Sequence, residues 1–332
     1  MSDPLILAAD VGGTKTLLQL LRRDPDAHHG IQPVAEQRYS SHAFVNLETM
    51  VQRFLEECAQ PTPHSACFAV AGPVSPYPGG QRSQLTNLPW QLDSRQLAHT
   101  LAIPHVSLLN DFQAIGYSLD VLGAHELEPL HAHAPDPQAP KLVVGAGTGL
   151  GVCLVTPDGD NYSSYPTEGG HLAFAPLDIE QESLYFYLRA QQLRVSYERL
   201  LSGSGLVNIY RFLLDKLGQY DDPLLHHDDP AVQIGRLAVA GDHPLALEAA
   251  RLFIRIYGAF AGDMALTCLP RGGVYIAGGI APKLLPLMQE GEFMRAFRNK
   301  GRMVHVVEPL PVQVITNPAC GLLGAARYAA RF

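Results

Sequence analysis

Residues 5–21 read LILAADVGGTKTLLQLL, and residues 141–156 read KLVVGAGTGLGVCLVT. Each opens with an apolar run fit for a buried strand, bends at glycines and closes with a second apolar run, the pattern of a β-hairpin. In the first, residues 5–9 are the strand, Asp10-Val11-Gly12-Gly13-Thr14 the bend, and the chain returns from Lys15 to Leu21. In the second, the strand starts over residues 141–144, the bend is Gly145-Ala146-Gly147-Thr148-Gly149-Leu150-Gly151, and Val152-Cys153-Leu154-Val155 returns. The two are weakly alike in residues but clearly alike in layout. They predict a duplicated α/β architecture, two related halves with a cleft between them. A chain of 332 residues has room for two domains at roughly 100–200 residues each.

Outward from the hairpins the same punctuation continues. Asn46 is a good N-cap for a helix with Leu47, Val51, Leu55 and Cys58 on one face. Residues 67–71 read as a strand ending at Gly72-Pro73, and residues 105–109 as another ending at Asn110-Asp111. Asp229-Pro230 starts a short helix, and a long one follows from Pro244, with Leu245, Leu252, Ile256 and Phe260 on one face. Residues 273–277 form a strand running into Gly278-Gly279; residues 292–300 are helical and stop at Gly301; residues 321–332 form a last helix. The expected division is a small α/β domain over 1–111, completed by the C-terminal helix at 317–332, and a large α/β domain over 112–316.

Composition narrows the function classes. The formal charge of −8, with no Lys/Arg cluster, disfavours nucleic acid and anionic membranes as partners. The N-terminus lacks a basic stretch and has only a short apolar run before Asp10, unlike a signal peptide, and no uncharged run approaches the ~20 residues that span a bilayer. Cys58, Cys67, Cys153, Cys268 and Cys320 are scattered and form no CxxC pair, so they read as buried thiols of a cytoplasmic protein. His28, His29, His131, His133, His226 and His227 read as loop histidines, because no Cys or carboxylate spacing completes a metal site.

The glycine bends are suited to oxygen-rich ligands. Glycines permit positive φ and close approach of backbone N–H groups to phosphate. At the first bend Gly12, Gly13, the Thr14 hydroxyl and Lys15 offer donors; Asp10 repels a bare phosphate and makes sense with Mg²⁺ between, through water. At the second, the donors are Gly147, Thr148 and Gly149. The segment matches neither G-x-G-x-x-G nor a Walker A loop, and a strand follows it, which counts against a dehydrogenase. Gly278 and Gly279 leave room for an adenine ring or for close packing, and the pair alone does not choose.

DVGGT, GAGTGLG and GGVYIAGGI stand in the order of the phosphate-1, phosphate-2 and adenosine motifs of the sugar kinase, heat-shock chaperone and actin superfamily, whose domains are ribonuclease H-like. LLNDFQA (108–114), EGGHLAFAP (168–176) and SYERLLSGSGLVNIY (196–210) between them resemble segments of the bacterial glucokinase family. The resemblance covers nearly the whole chain. It implies ATP and Mg²⁺ as cofactors, Asp111 as the base acting on a sugar hydroxyl, and Asn110, Glu168, His171 and Glu198 as sugar contacts. Asn87, with Thr86 in LTNLPW, resembles a further sugar-side segment. Two glycines inside Glu168-Gly169-Gly170-His171 argue against a helical metal pair there. No cysteine occurs in LAFAPLDIEQES after His171, unlike the zinc motif of the repressor/kinase relatives. Thr167 and Lys15 depart from the common family residues, Gly and Asn. The expected substrate is glucose and the expected assembly, implied by the resemblance, a homodimer; the two halves of the chain are expected to close around the sugar. The alternatives are a kinase for another hexose or an amino sugar, and a non-catalytic sugar or nucleotide sensor.

Overall fold

The computed structural model describes residues 4–59, 61–85, 88–159 and 161–332. The strands, in chain order, are β1 (Leu5–Val11), β2 (Lys15–Arg23), β3 (Ile31–Ser40), β4 (Ser65–Val70), β5 (Val74–Tyr77), β6 (Gly80–Gln84), β7 (Gln91–Asp93), β8 (His105–Asn110), β9 (Leu127–His131), β10 (Lys141–Ala146), β11 (Leu150–Asp158), β12 (Asn161–Thr167), β13 (Val274–Ala277) and β14 (Val312–Ile315). The helices are α1 (Leu47–Cys58), α2 (Ser94–Leu101), α3 (Asp111–Ser118), α4 (Ile179–Gln191), α5 (Gly203–Lys216), α6 (Pro230–Ala240), α7 (Pro244–Cys268), α8 (Ala281–Met288), α9 (Glu292–Arg298), α10 (Val304–Val307) and α11 (Cys320–Ala329).

The chain divides into two compact units. One holds residues up to Glu126, residues 162–166 and the segment Asn317–Phe332; the other holds Leu127–Asn161 and Thr167–Thr316. The first unit therefore runs to Glu126 and does not stop at Asp111. Asn110 caps α3, and α3 packs beside α11 so closely that a Cβ on Gly324 would stand 1.7 Å from the Ala114 carbonyl oxygen. Residues 162–166 belong there because Gln113 and Ser164 exchange two hydrogen bonds, of 2.9 and 2.8 Å.

The first unit is built on a sheet of order β3-β2-β1-β4-β8. The β1–β2 and β2–β3 pairs are antiparallel, and β1–β4 and β4–β8 are parallel. Both faces are covered, so its central strands are apolar throughout. Leu5, Leu7, Ala9 and Val11 point into a core shared with α1 and α2, which includes Trp90; Ile6 and Ala8 point into one shared with α3 and α11. The Ser65 hydroxyl donates to the Ala329 carbonyl at 2.8 Å and fixes the last helix to β4.

The second unit repeats the plan. Its sheet order is β12-β11-β10-β13-β14-β9. Counting its strands from β10, the sequence third, second, first, fourth, fifth is that of the first unit, with β9 added antiparallel at one edge. The duplication inferred from the two hairpins is thus carried through the strand order. Helix α7 is buried almost all round, and Gly258 and Gly262 let α9 cross it closely, since a Cβ at either would lie 2.1 or 2.3 Å from a carbonyl oxygen of α9. Among the described residues no helix is long and apolar enough to cross a membrane. None of the five cysteines, all among the described residues, is in a disulfide; Cys67, Cys153 and Cys320 are buried, while Cys58 and Cys268 are only partly so.

Candidate functional site

In the first unit the chemistry gathers where parallel strands end. Register places Asp10 beside Ala69, and Ala69 beside Leu109. Asp10 and the Asn110-Asp111 pair therefore emerge at the same edge, two strand spacings or ~10 Å apart along the sheet. Asn110 Oδ1 accepts from Phe112 N–H at 3.0 Å and from Gln113 N–H at 3.3 Å, while its Nδ2 donates to the Gly72 carbonyl at 3.2 Å. Asn110 is thus first of all an N-cap, which commits its acceptor, while its amide hydrogens serve the Gly72 carbonyl and the Asp111 carboxyl. Asp111 takes the first helical position, and its Oδ1 accepts from Phe112 N–H at 2.9 Å.

Burial pushes the Asp111 carboxyl up to about 6, and the negative charge of Asp10 adds to the rise; the hydrogen bonds from Phe112 and Asn110 oppose it. Asp10 keeps accessible surface at its strand end, yet the chain crowded round it raises its pKa as well, against the pull of the Arg38 guanidinium. Two mutually repelling carboxylates at one sheet edge, only partly offset by Arg38, offer hard oxygen donors of the kind that suit Mg²⁺.

The first bend is held by side chains that the sequence does not advertise. Gly12 N–H donates to the Lys15 carbonyl at 3.1 Å, and Ser41 ties down both ends, its N–H donating to the Thr14 carbonyl and its hydroxyl to the Gly12 carbonyl at 2.8 Å. Gly12, Gly13, Gly147 and Gly149 do not use positive φ, contrary to expectation. Gly12 is glycine because a Cβ would stand 2.8 Å from the Lys15 oxygen. Thr14 and Lys15 are exposed.

In the second unit Gly145 and Ala146 remain in β10, so the true bend is Gly147-Thr148-Gly149. Gly147 N–H donates to the Gly149 carbonyl, and the Gly147 carbonyl accepts from Gly203 N–H at the start of α5. Tyr257, buried in α7, braces the bend from behind: its hydroxyl accepts from Ala146 N–H at 3.1 Å and donates to the Val144 carbonyl at 3.3 Å. Gly278 lies beside this strand at φ +82°, where a Cβ would meet the Ala146 oxygen at 2.3 Å, whereas Gly279 faces open space. The two readings of the glycine pair divide between its members: Gly278 serves close packing, and only Gly279 leaves room.

Three expected sugar contacts of the second unit come together. A single 3₁₀ turn over Gly169–His171 forms despite its glycines, because Gly170 lies against β11, where a Cβ would be 2.0 Å from the Leu150 oxygen. The turn sets His171 Nε2 3.8 Å from Glu168, and His171 Nδ1 3.9 Å from Glu198. Glu168 is 78% and His171 56% exposed, open to a ligand, while Glu198 is 32% exposed. Glu198 is neither a solvated helix charge nor an arginine partner: its Oε2 accepts from Leu150 N–H at 3.0 Å, at the end of the glycine bend. Thr167 stabilises the turn, its hydroxyl accepting from Gly169 N–H and donating to the Val152 carbonyl. Asn87 and Thr86 lie outside the described residues. Ser41, Tyr257 and Gly203 were not foreseen; an isolated Ser or a mid-helix Tyr carries no motif, and Gly203 showed only as part of a glycine-serine run.

Comparison with known proteins agrees with this layout. A family model described as Glucokinase matches residues 7–332. A glucokinase of Nostoc punctiforme is 42% identical, over 98% of this chain and 99% of its own. The crystal structure of a glucokinase from an Antarctic psychrotroph superposes with a TM-score of 0.86 at 28% identity, covering 99% of each chain. A Balamuthia mandrillaris glucokinase solved in complex with glucose shares the fold, with a TM-score of 0.82 at 22% identity over 99% of this chain and 94% of its own. A match spanning nearly the whole sequence, on a strand order repeated in both units, means that this chain belongs to the glucokinase family.

Proposed function

We propose that the chain transfers the γ-phosphoryl group of ATP to the 6-hydroxyl of glucose, giving glucose 6-phosphate and ADP. The observation that carries this reading is Asp111, a carboxyl held in one orientation at the end of β8 with its affinity for a proton raised to about pH 6. Such a group is ionised at neutral pH yet basic enough to take the hydroxyl proton as the sugar oxygen bonds to phosphorus and the bond to the ADP oxygen breaks. In phosphoryl transfer the proton moves late, so most of the rate comes from alignment and charge neutralisation.

Glu168 accepts hydroxyls of the sugar, His171 donates or accepts as its tautomer allows, and Glu198 supplies its outer oxygen. Asn110 holds the Asp111 carboxyl toward the sugar with its amide. Around the nucleotide, the bends at Gly12, Gly13, Thr14 and Lys15 and at Gly147, Thr148 and Gly149 offer backbone and hydroxyl donors, and the space at Gly279 suits the adenine ring. Mg²⁺, held by Asp10 through water, would supply neutralisation of the phosphate charge. The same reading takes the enzyme as a homodimer of the reducing cytoplasm, in keeping with its five free thiols.

A coupled assay over a panel of sugars tests it. Glucose should turn over fastest with ATP, and only when Mg²⁺ is present. A clear preference for mannose or N-acetylglucosamine would replace the substrate, and no turnover of any sugar would overturn the reading in favour of a sensor.

A further inference from the structure

Away from these residues, the first unit assembles a cluster of imidazoles and one carboxylate that the glucokinase chemistry does not use. His28 and His125 are exposed beside Glu126, and one ligand atom from each lies within 4.8 Å of the others. The rings of His28 and His125 are 5.1 Å apart. Both reach toward Gly123, where a Cβ would stand 3.3 Å from His28 Nε2 and 3.0 Å from His125 Nδ1, so the glycine keeps the space between the rings clear.

Glu126 is held in place by its surroundings. Its Oε1 accepts from Asn317 Nδ2 at 2.6 Å, and its Oε2 from Gly123 N–H at 2.7 Å and from His29 Nε2 at 2.8 Å. His29 makes that bond from a left-handed backbone, φ 65°, inside a turn closed by hydrogen bonds among Asp24, Ala27 and Gly30. A carboxylate oriented by fixed neighbours is the usual outer arrangement of a metal ligand.

We propose that His28, His125 and Glu126 form a surface site for one transition-metal ion of the zinc class, with solvent completing the coordination. Two imidazoles and a carboxylate suit Zn²⁺, Co²⁺ or Ni²⁺, whereas Mg²⁺ and Ca²⁺ demand sets made of oxygen. The site is distinct from the Asp10 and Asp111 carboxylates, so it stands whether or not the sugar-kinase reading does. Sequence spacing conceals it, since 97 residues separate His29 from Glu126. The ion would join the 24–30 turn to the 123–126 segment, and binding only the folded chain it would raise its stability.

Equilibrium dialysis of the untagged full chain with Zn²⁺ in excess Mg²⁺, and the visible spectrum of the Co²⁺ form, test the site. One ion should bind per chain. His28→Ala and His125→Ala should each weaken it by more than the ~10–100-fold that losing an outer partner costs. His131→Ala, in the separate pair whose rings, His131 and His133, lie 4.3 Å apart, should leave Zn²⁺ binding unchanged, and Zn²⁺ should raise the melting temperature of wild type but not of the double variant H28A/H125A. Both histidines are exposed, so their truncation leaves the fold intact. Absence of stoichiometric binding, or equal affinity in the double variant, would overturn the site.

Discussion

The Oε2 atom of Glu198 accepts the backbone N–H of Leu150 at 3.0 Å, so the residue proposed to contact the sugar also fixes the end of the bend proposed to hold phosphate. A Cβ on Gly149 would meet the same oxygen at 2.6 Å, which shows how closely the carboxylate fits the bend. On the proposed roles, removing it should affect both substrates. Glu198→Ala should raise KM for glucose and for ATP together, with kcat/KM falling roughly 10–100-fold, the worth of about 1.5–3 kcal/mol for a hydrogen bond to a charged group. Glu198→Gln keeps an acceptor for Leu150 and should largely spare the ATP KM. Initial rates with each substrate varied separately decide this; an unchanged ATP KM in the alanine variant would remove the coupling.

Asp111 should give the enzyme an acidic limb. With Asp111 as the proposed base, its carboxylate form is the competent one, so kcat/KM for glucose should fall as pH drops through about 6 and level off above it. Because the Asp10 charge contributes to that elevation, the carboxyl titration of Asp111, followed by carbon NMR, should move to lower pH in Asp10→Asn. A midpoint below 5 in wild type would contradict the elevation.

Activity and stability should separate at the same residue. A carboxyl whose folded pKa lies above its unfolded value of 3.8 binds its proton more tightly when folded. Its contribution is most favourable below pH 4 and is lost as pH rises to about 6, leaving a penalty at neutral pH. Asp111→Asn removes that penalty while retaining an acceptor for Phe112 N–H. It should lower kcat by about 10²–10⁴-fold and raise stability at pH 7.5 by about 1 kcal/mol, below the ~3 kcal/mol ceiling, because the site is only partly buried. Urea unfolding measures the second quantity; a loss of stability would count against burial as the source of the shift.

The two glycines after β13 should respond differently. Gly278→Ala meets both a positive φ and the Ala146 oxygen, and should cost about 2–4 kcal/mol of stability. Gly279→Ala enters open space and should change stability by less than about 0.5 kcal/mol, while raising the KM for ATP if adenine lies there. Equilibrium unfolding and nucleotide kinetics on the pair separate a packing glycine from a ligand glycine.

What the sequence disclosed follows the range of the interactions concerned. The hairpins at 5–21 and 141–156, the Asn46 cap and the proline starts at Pro230 and Pro244 are local, and each is found where the residues placed it, within a residue or two. The strand at 67–71 began earlier, at Ser65, because pairing with β1 recruits it, and the helix from Glu292 stopped at Arg298, before its glycine. The reason for each glycine was less visible. Gly12, Gly170 and Gly278 are demanded by backbone oxygens, and the last two of those oxygens, on Leu150 and Ala146, are distant in sequence. The motif segments named Glu168, His171 and Glu198 as a group, and packing brings them to within 4 Å of one another in series. No pattern in the chain announced Tyr257 behind the second bend, since a tyrosine within an apolar helix looks like any core residue.

The seam between α3 and α11 has a consequence for how the protein is made. Ile6, Ala8 and Ala69 leave the ribosome well before α11, which helps to cover them, is made. Until Gly324 can settle against Ala114 and Ser65 can find Ala329, one face of the first sheet is covered by α3 alone. The later-encoded unit, whose strands and helices all precede residue 317, can then consolidate before the earlier one, reversing the usual N-to-C order of domain folding.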